Sequence, residues 1–404
     1  MDPHKNPPRE GAGQAVMWLP LPLPRRPMRL PLAPSRPHLV LITSAMLAIA
    51  PLATAGAQRS FANALTIGTV DSVYSKVIKE QRPYLVYLPP SYKDTTYTPQ
   101  RYPVLYLLDG DAHFHSVTGL LQILGTGVNG TFVVPEMIVV AIPNTNRMRD
   151  LSPTQVTAGF DGKPDTTLRI TGGGPNYLSF MKNELIPRID ATYRTAPYRV
   201  FVGHSLGGLM AFSALYTMPE VFNAYVAIDP SLWWDNRRLL KDGPAFFSKP
   251  TAPGRTLFVG QANTLVASDT ADNPHYNSII RMNALIEGDN KAGVRYNFRY
   301  YPNDSHGSVP LIAEYDALRF IFDGYSPDLM RALEDPSYVK AHYEKVSKIM
   351  GYSVLPPEGT VDLLAMIQMG REKAKAIEML RLNTELYPAS VRAKNALQKA
   401  TAGK

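Results

Sequence analysis

The chain has 404 residues, 45% of them hydrophobic and 19% charged, which supplies a large packed core and excludes a disordered or fibrous protein. It contains no cysteine, so disulfides, thiolate metal sites and a cysteine nucleophile are excluded. The net charge is +8, half of it in residues 1–57, where six basic side chains stand against two acidic ones; the remainder shows no basic stripe with interleaved aromatics, and no nucleic-acid partner is expected.

Residues 1–37 are rich in Pro and Arg and show neither a helical nor a strand period. Residues 38–58 carry no formal charge, 39–50 are strongly apolar, and small residues ending Ala55-Gly56-Ala57 follow. A basic stretch, an apolar stretch and an A-x-A site in that order form a secretory signal peptide. Residues 1–57 are therefore expected to be a leader and signal peptide, with a mature chain from Gln58 in the periplasm or secreted. No membrane span is expected to remain after cleavage. An uncleaved anchor is disfavoured by Pro51 and the small-residue tail.

Residues 58–323 are expected to form the catalytic domain. An antiparallel opening is predicted over 65–78 and 84–88, separated by a polar stretch at 79–82. Short apolar runs then recur at 104–108, 137–142, 200–202, 225–228, 256–259 and 295–301. Runs of this length, rich in Val, Ile, Leu and Tyr, suit strands buried on both faces. Helical patterns lie between them at 176–193, 206–217, 277–288 and 309–322. Strands alternating with helices predict an α/β fold with a mostly parallel central sheet and helices on both faces.

The strand at 199–202 runs into Gly203-His204-Ser205-Leu206-Gly207-Gly208, with a helix directly after. This is G-x-S-x-G, in which a nucleophile stands at a sharp strand-to-helix turn and glycines remove side chains that would collide. Ser205 is the expected nucleophile. The Leu206 backbone N–H, at the helix N-terminus, is one expected oxyanion donor. The second is the N–H of Asp111, in the loop Asp109-Gly110-Asp111-Ala112-His113 after an earlier strand.

A serine hydroxyl needs a base, and in this fold the order is Ser, acid, His. Of the histidines after Ser205, His342 lies in a helical tail, His275 opens a helix, and His306 follows the last strand. His306 is the expected base. The acid stays open between Asp272, Asp229 and a Ser-His dyad, because Gly260-Gln261-Ala262-Asn263 after the strand at 256–259 holds no carboxylate. His113 and His115 form H-x-H beside two aspartates, but no third ligand follows at useful spacing, so neither a metal nor a cofactor is expected.

Taken together, the segments Val104-Leu105-Tyr106-Leu107-Leu108-Asp109-Gly110, Arg149-Asp150-Leu151-Ser152-Pro153-Thr154, Gly203–Gly208, Pro230-Ser231-Leu232-Trp233-Trp234 and His306-Gly307 resemble the putative-esterase family of α/β hydrolases over roughly residues 65–323. Its members include siderophore esterases of the enterochelin type, S-formylglutathione hydrolases, feruloyl and acetylxylan esterases, and mycolyltransferases. The likeness is greatest to the siderophore-esterase branch. It implies an α/β-hydrolase fold, catalytic Ser205 and His306, and Arg149, Asp150 and Trp233 near the substrate. One tryptophan of the pair is expected to pack in the core. The carboxylate missing at 260–263 departs from the formylglutathione hydrolases.

From Gly324 the strands end. Helical patterns at 337–350, 359–369, 371–386 and 389–400, punctuated by Gly370 and Pro388, resemble one and a half tetratricopeptide-like repeats. A tail of residues 324–404 that packs on the catalytic domain is expected; a partner-binding surface is the alternative. The expected activity is hydrolysis of a small-molecule carboxylic ester through an acyl-enzyme on Ser205, with a siderophore-type ester implied by the resemblance. The rivals are acyl transfer of the mycolyltransferase type, a non-catalytic binding protein using the tail, and a peptidase.

Overall fold

The computed structural model describes residues 65–126, 132–159, 162–265 and 273–402. The leader and signal peptide expected at 1–57, and Asp272, lie outside these residues. Ala64–Lys404 forms one compact unit.

Eight strands form one sheet: β1 (Thr69–Ser75), β2 (Glu80–Tyr87), β3 (Tyr102–Leu108), β4 (Ile138–Ile142), β5 (Thr195–His204), β6 (Ala224–Ile228), β7 (Thr256–Ala262) and β8 (Arg295–Tyr301). Their order is β1-β2-β4-β3-β5-β6-β7-β8. The β1–β2 and β2–β4 pairs are antiparallel and the rest parallel. The fold is that of the α/β hydrolases, as expected. The helices interleaved with the strands are α1 (Gly110–Gly125), α2 (Arg147–Asp150), α3 (Gly174–Phe180), α4 (Ile186–Thr192), α5 (Leu206–Thr217), α6 (Trp234–Phe247), α7 (Pro274–Gly288) and α8 (Val309–Ile321). Five more follow α8, which itself comes after the last strand: α9 (Leu329–Glu334), α10 (Pro336–Met350), α11 (Glu358–Met369), α12 (Lys373–Leu386) and α13 (Val391–Ala402).

The strand period of two explains the two cores. On β3, Val104, Tyr106 and Leu108 join one buried cluster and Leu105 and Leu107 the other. The first cluster takes Leu206, Leu209 and Met210 of α5. The second takes Phe114, Val117 and Leu121 of α1, Ala313 and Ala317 of α8, and Tyr343, Val346, Leu364 and Met379 of the C-terminal helices. The C-terminal helices thus extend the core on the α1/α8 face. Each fully buried Leu, Val or Phe contributes about 1.5–3 kcal/mol. Tyr198 of β5 packs against Phe322 and Tyr352. Glu358, at the start of α11, accepts the Thr98 N–H at 2.7 Å. No helix among the described residues is long and apolar enough to cross a membrane.

The first hairpin differs from expectation. The polar residues at 79–82 do not separate the strands: β2 begins at Glu80, and Arg82 is buried within it. Arg82 tolerates burial because Asp150, also buried, lies 2.7 Å from it and Glu80 2.6 Å. The Tyr177 and Phe180 rings lie beside its guanidinium.

Candidate active site

The candidate site stands at the C-terminal ends of the parallel strands, where open α/β sheets present their catalytic loops. β5 ends at His204, and Ser205 follows with φ 60° and ψ −115° before α5 begins at Leu206. Such a backbone costs about 1–3 kcal/mol in a residue with a side chain. Three hydrogen bonds hold it: Ser205 N–H donates to the Ile228 carbonyl at 2.9 Å, and its own carbonyl accepts from Leu209 and Ser231 N–H, each at 3.0 Å. Two glycines of the turn leave little or no room for a side chain. A side chain at Gly203 would overlap the Gly207 backbone, and one at Gly208 would reach Pro230 at 3.0 Å.

The Ile228 carbonyl that fixes Ser205 belongs to the last residue of β6, and the next residue is Asp229. It too has a positive φ, 40°. Its N–H donates to the Gly260 carbonyl at 2.7 Å, and its Oδ1 accepts the Ala262 N–H at 3.0 Å. Its other oxygen, Oδ2, meets two imidazoles: His306 Nδ1 at 2.5 Å and His275 Nε2 at 2.9 Å. Asp229 is fully buried. Burial alone would raise its pKa, but the hydrogen bonds from His275 and His306 outweigh it and hold the carboxyl at about 2. As an ionised carboxylate Asp229 only accepts, so His306 carries its proton on Nδ1 and leaves Nε2 basic.

Of the alternatives left open for the acid, the structure seats Asp229 against His306; the Asp272 alternative falls outside the described residues. Ser205 Oγ has Ser231 Oγ at 3.3 Å as its hydrogen-bond partner, with no bond to His306. Resting hydrogen bonds of this kind often tighten only when substrate binds. The His204 ring, directly before Ser205, lies 4.5 Å from that of His306. Burial, then the neighbouring His306 and His113, push the pKa of His204 down to about 4, so it is neutral.

The β3–α1 loop lies against the elbow. Asp109, nearly buried at φ 52°, accepts from Arg147 Nε at 2.6 Å and Nη2 at 2.9 Å. Its burial opposes ionisation, and the Arg147 bonds more than compensate, keeping its pKa below the ordinary value. Arg147 Nη2 also donates to the His204 carbonyl at 3.2 Å. One guanidinium therefore ties the loop to the residue before Ser205. Leu206 and Asp111 occupy the first and second positions of α5 and α1, where backbone N–H groups have no intrahelical acceptor.

Two expected substrate contacts have other partners. Asp150 is 2% exposed and its carboxylate holds Arg82 and Arg149. Arg149 also donates to Glu80 at 2.7 and 3.0 Å. Asp150 neutralises a buried arginine, and its carboxylate is engaged by Arg82 and Arg149. Arg149 keeps partial exposure, but its guanidinium is engaged by Glu80 and Asp150. Trp233 lines a cavity of ≈ 680 Å³ with Met148, Gln155, Val156, Leu168 and Pro274. Trp234 packs in the core, its Nε1 donating to the Thr154 carbonyl at 3.2 Å. The same cavity borders Asp235, Asn236 and Arg237, three consecutive residues with φ of 47°, 54° and 63°. His113 of the H-x-H pair lies 3.9 Å from Glu314, whose carboxyl burial pushes up to about 8.

Sequence reasoning missed Arg147, Ser231 and the role of His275. Arg147 stands two residues before Arg149, and position alone did not separate them. His275 was read only as opening a helix, since its contact with Asp229 joins the end of β6 to the start of α7.

The strained elbow serine and the carboxylate-bound histidine on this sheet define a serine hydrolase. The chain belongs to the putative esterase family, whose family model ("Putative esterase") matches residues 75–306. It is 29% identical over 280 residues to the ferri-bacillibactin esterase BesA of Bacillus subtilis, covering 66% of this chain and 94% of that protein. It is 32% identical over 160 residues to a siderophore enterobactin esterase of Emericella nidulans, covering 36% of this chain and 51% of that one. Among solved structures, an IroE-like serine hydrolase from Shewanella oneidensis aligns with a TM-score of 0.69 at 29% identity, covering 79% of this chain and 99% of that one. The chain is an esterase.

Proposed function

We propose that this esterase hydrolyses siderophore-type esters through an acyl-enzyme on Ser205. The observation that carries the mechanism is the Asp229–His306 hydrogen bond at 2.5 Å beside the strained Ser205. Ser205 Oγ attacks the ester carbonyl while His306 Nε2 takes its proton. Asp229 keeps His306 in the required tautomer and stabilises the imidazolium that forms. The Leu206 and Asp111 N–H groups receive the oxyanion. His306 then returns the proton to the departing alcohol, and a water activated by the same nitrogen hydrolyses the acyl-enzyme.

The substrate class is supported by the two relatives that act on siderophores, one of which this chain matches over 94% of its length. The cavity beside Trp233 offers an aromatic wall to a catechol or similar ring. Export to the periplasm or beyond is part of the reading, supported by the signal-like order of residues 25–57.

Cleavage of a ferric catecholate trilactone, followed by separation of the released linear ester and monomers, tests the substrate. Turnover by the wild type and none by Ser205→Ala is the expected result. An intact trilactone, alongside brisk hydrolysis of p-nitrophenyl esters, would overturn the siderophore assignment.

A further inference from the structure

We propose that Asp229, His275 and His306 form a divalent-cation site, and that a bound Zn²⁺ switches the esterase off. The binding stands on geometry alone, and only the loss of turnover rests on the function proposed above.

Two imidazoles and one carboxylate are a donor set that suits zinc and neighbouring transition metals. Here the three ligand atoms, Asp229 Oδ2, His275 Nε2 and His306 Nδ1, lie within 4.8 Å of one another. A catalytic histidine on its carboxylate offers only two donors; the second imidazole on the same Oδ2 supplies the third. Tetrahedral zinc, with ligands at about 2.0–2.2 Å, sets its donor atoms roughly 3.3 Å apart. The nitrogens now lie 2.5 and 2.9 Å from Oδ2, so each must withdraw by less than about 1 Å to admit the ion. Asp229 is the fixed anchor, tied by Ala262 and Gly260. His306 is the ligand free to move, with a side chain 43% exposed on the loop after β8. His275 is 16% exposed at the start of α7. A water would complete the four-coordinate set.

Coordination explains the inhibition. With Asp229 as partner, His306 holds its proton on Nδ1 and offers Nε2 to Ser205. A metal at Nδ1 needs the lone pair there, so the proton must move to Nε2. The neutral imidazole loses no proton overall; it changes tautomer. Nε2–H has no lone pair for the Ser205 proton, and the base is lost while Ser205 is untouched.

Metal-free full-length protein would be titrated with Zn²⁺ by calorimetry and with Co²⁺ by visible absorption, beside p-nitrophenyl acetate hydrolysis. One Zn²⁺ per chain, a four-coordinate Co²⁺ spectrum and an activity loss of tenfold or more that a chelator reverses are the expected results. His275→Ala and His275→Gln should each weaken Zn²⁺ binding by at least tenfold, with folding checked by circular dichroism. Absence of binding at ~100 μM Zn²⁺, far above the dissociation constants of structural zinc sites, would overturn the proposal, as would an unchanged affinity in a folded His275 variant. Binding with no loss of turnover would overturn the switch. Because calorimetry and the Co²⁺ spectrum need no substrate, they report on the site even if the esterase reading fails.

Discussion

His306 Nδ1 lies 2.5 Å from Asp229 Oδ2, and Asp229 follows the β6 residue whose carbonyl holds the Ser205 N–H. Nucleophile, acid and base are thereby joined through one strand end. In Asp229→Asn the amide can donate to His306 and favour the wrong tautomer, with little change in shape. The expected result is a fall in kcat on the order of 10³-fold or more with KM little altered. A loss below tenfold would remove Asp229 from the mechanism and restore the dyad.

Asp150→Ala leaves Arg82 buried without its closest enclosed counter-charge, since Glu80 is partly exposed. Removing one partner of a buried pair costs about 3–5 kcal/mol. Arg149, 27% exposed, should cost only about 1 kcal/mol or less when replaced by Ala. Urea unfolding of the two variants separates them; equal losses would contradict the structural role given to Asp150.

Much of the site could be read from one short segment. G-x-S-x-G between a strand and a helix carries its steric reason within six residues, and His306 follows from the chain order of the fold. The acid did not follow, because two loops with aspartates competed and only three-dimensional placement decides which one meets His306. The first hairpin was misread for a related reason. Arg82 signals a turn until Asp150, distant in sequence, is seen to neutralise it. The α1 helix was not anticipated, although its buried Phe114, Val117, Leu121 and Leu124 recur at helical spacing. The α6 start, with three left-handed residues at 235–237, has no sequence signature beyond the Asp and Asn themselves.

Glu314 gives a pH signature. Burial raises its folded pKa from the ordinary value of 4.5 to about 8. Between these values the native state keeps a proton that the unfolded chain has lost. Its contribution to stability is present below pH 4.5 and declines as the pH rises to about 8. Glu314→Gln should therefore match the wild type near pH 5 and exceed it near pH 8, as read by denaturant midpoints. Parallel pH curves for the two proteins would contradict an uncharged buried Glu314.

Trp233→Ala tests the cavity wall. For bulky aromatic esters KM should rise roughly fivefold or more, about 1 kcal/mol of lost contact. For p-nitrophenyl acetate, a much smaller ester, kcat/KM should change by less than about twofold. Equal effects on both substrates would place the acyl or alcohol group elsewhere.

In the proposed mechanism Ser205 is a nucleophile activated by His306. The most direct measurement is labelling of the folded protein with a fluorophosphonate, followed by peptide mass mapping. A single adduct on Ser205, formed at a rate reduced by orders of magnitude in His306→Ala, is the result the account predicts. A folded wild type that takes up no label, or carries it on another residue, would contradict it.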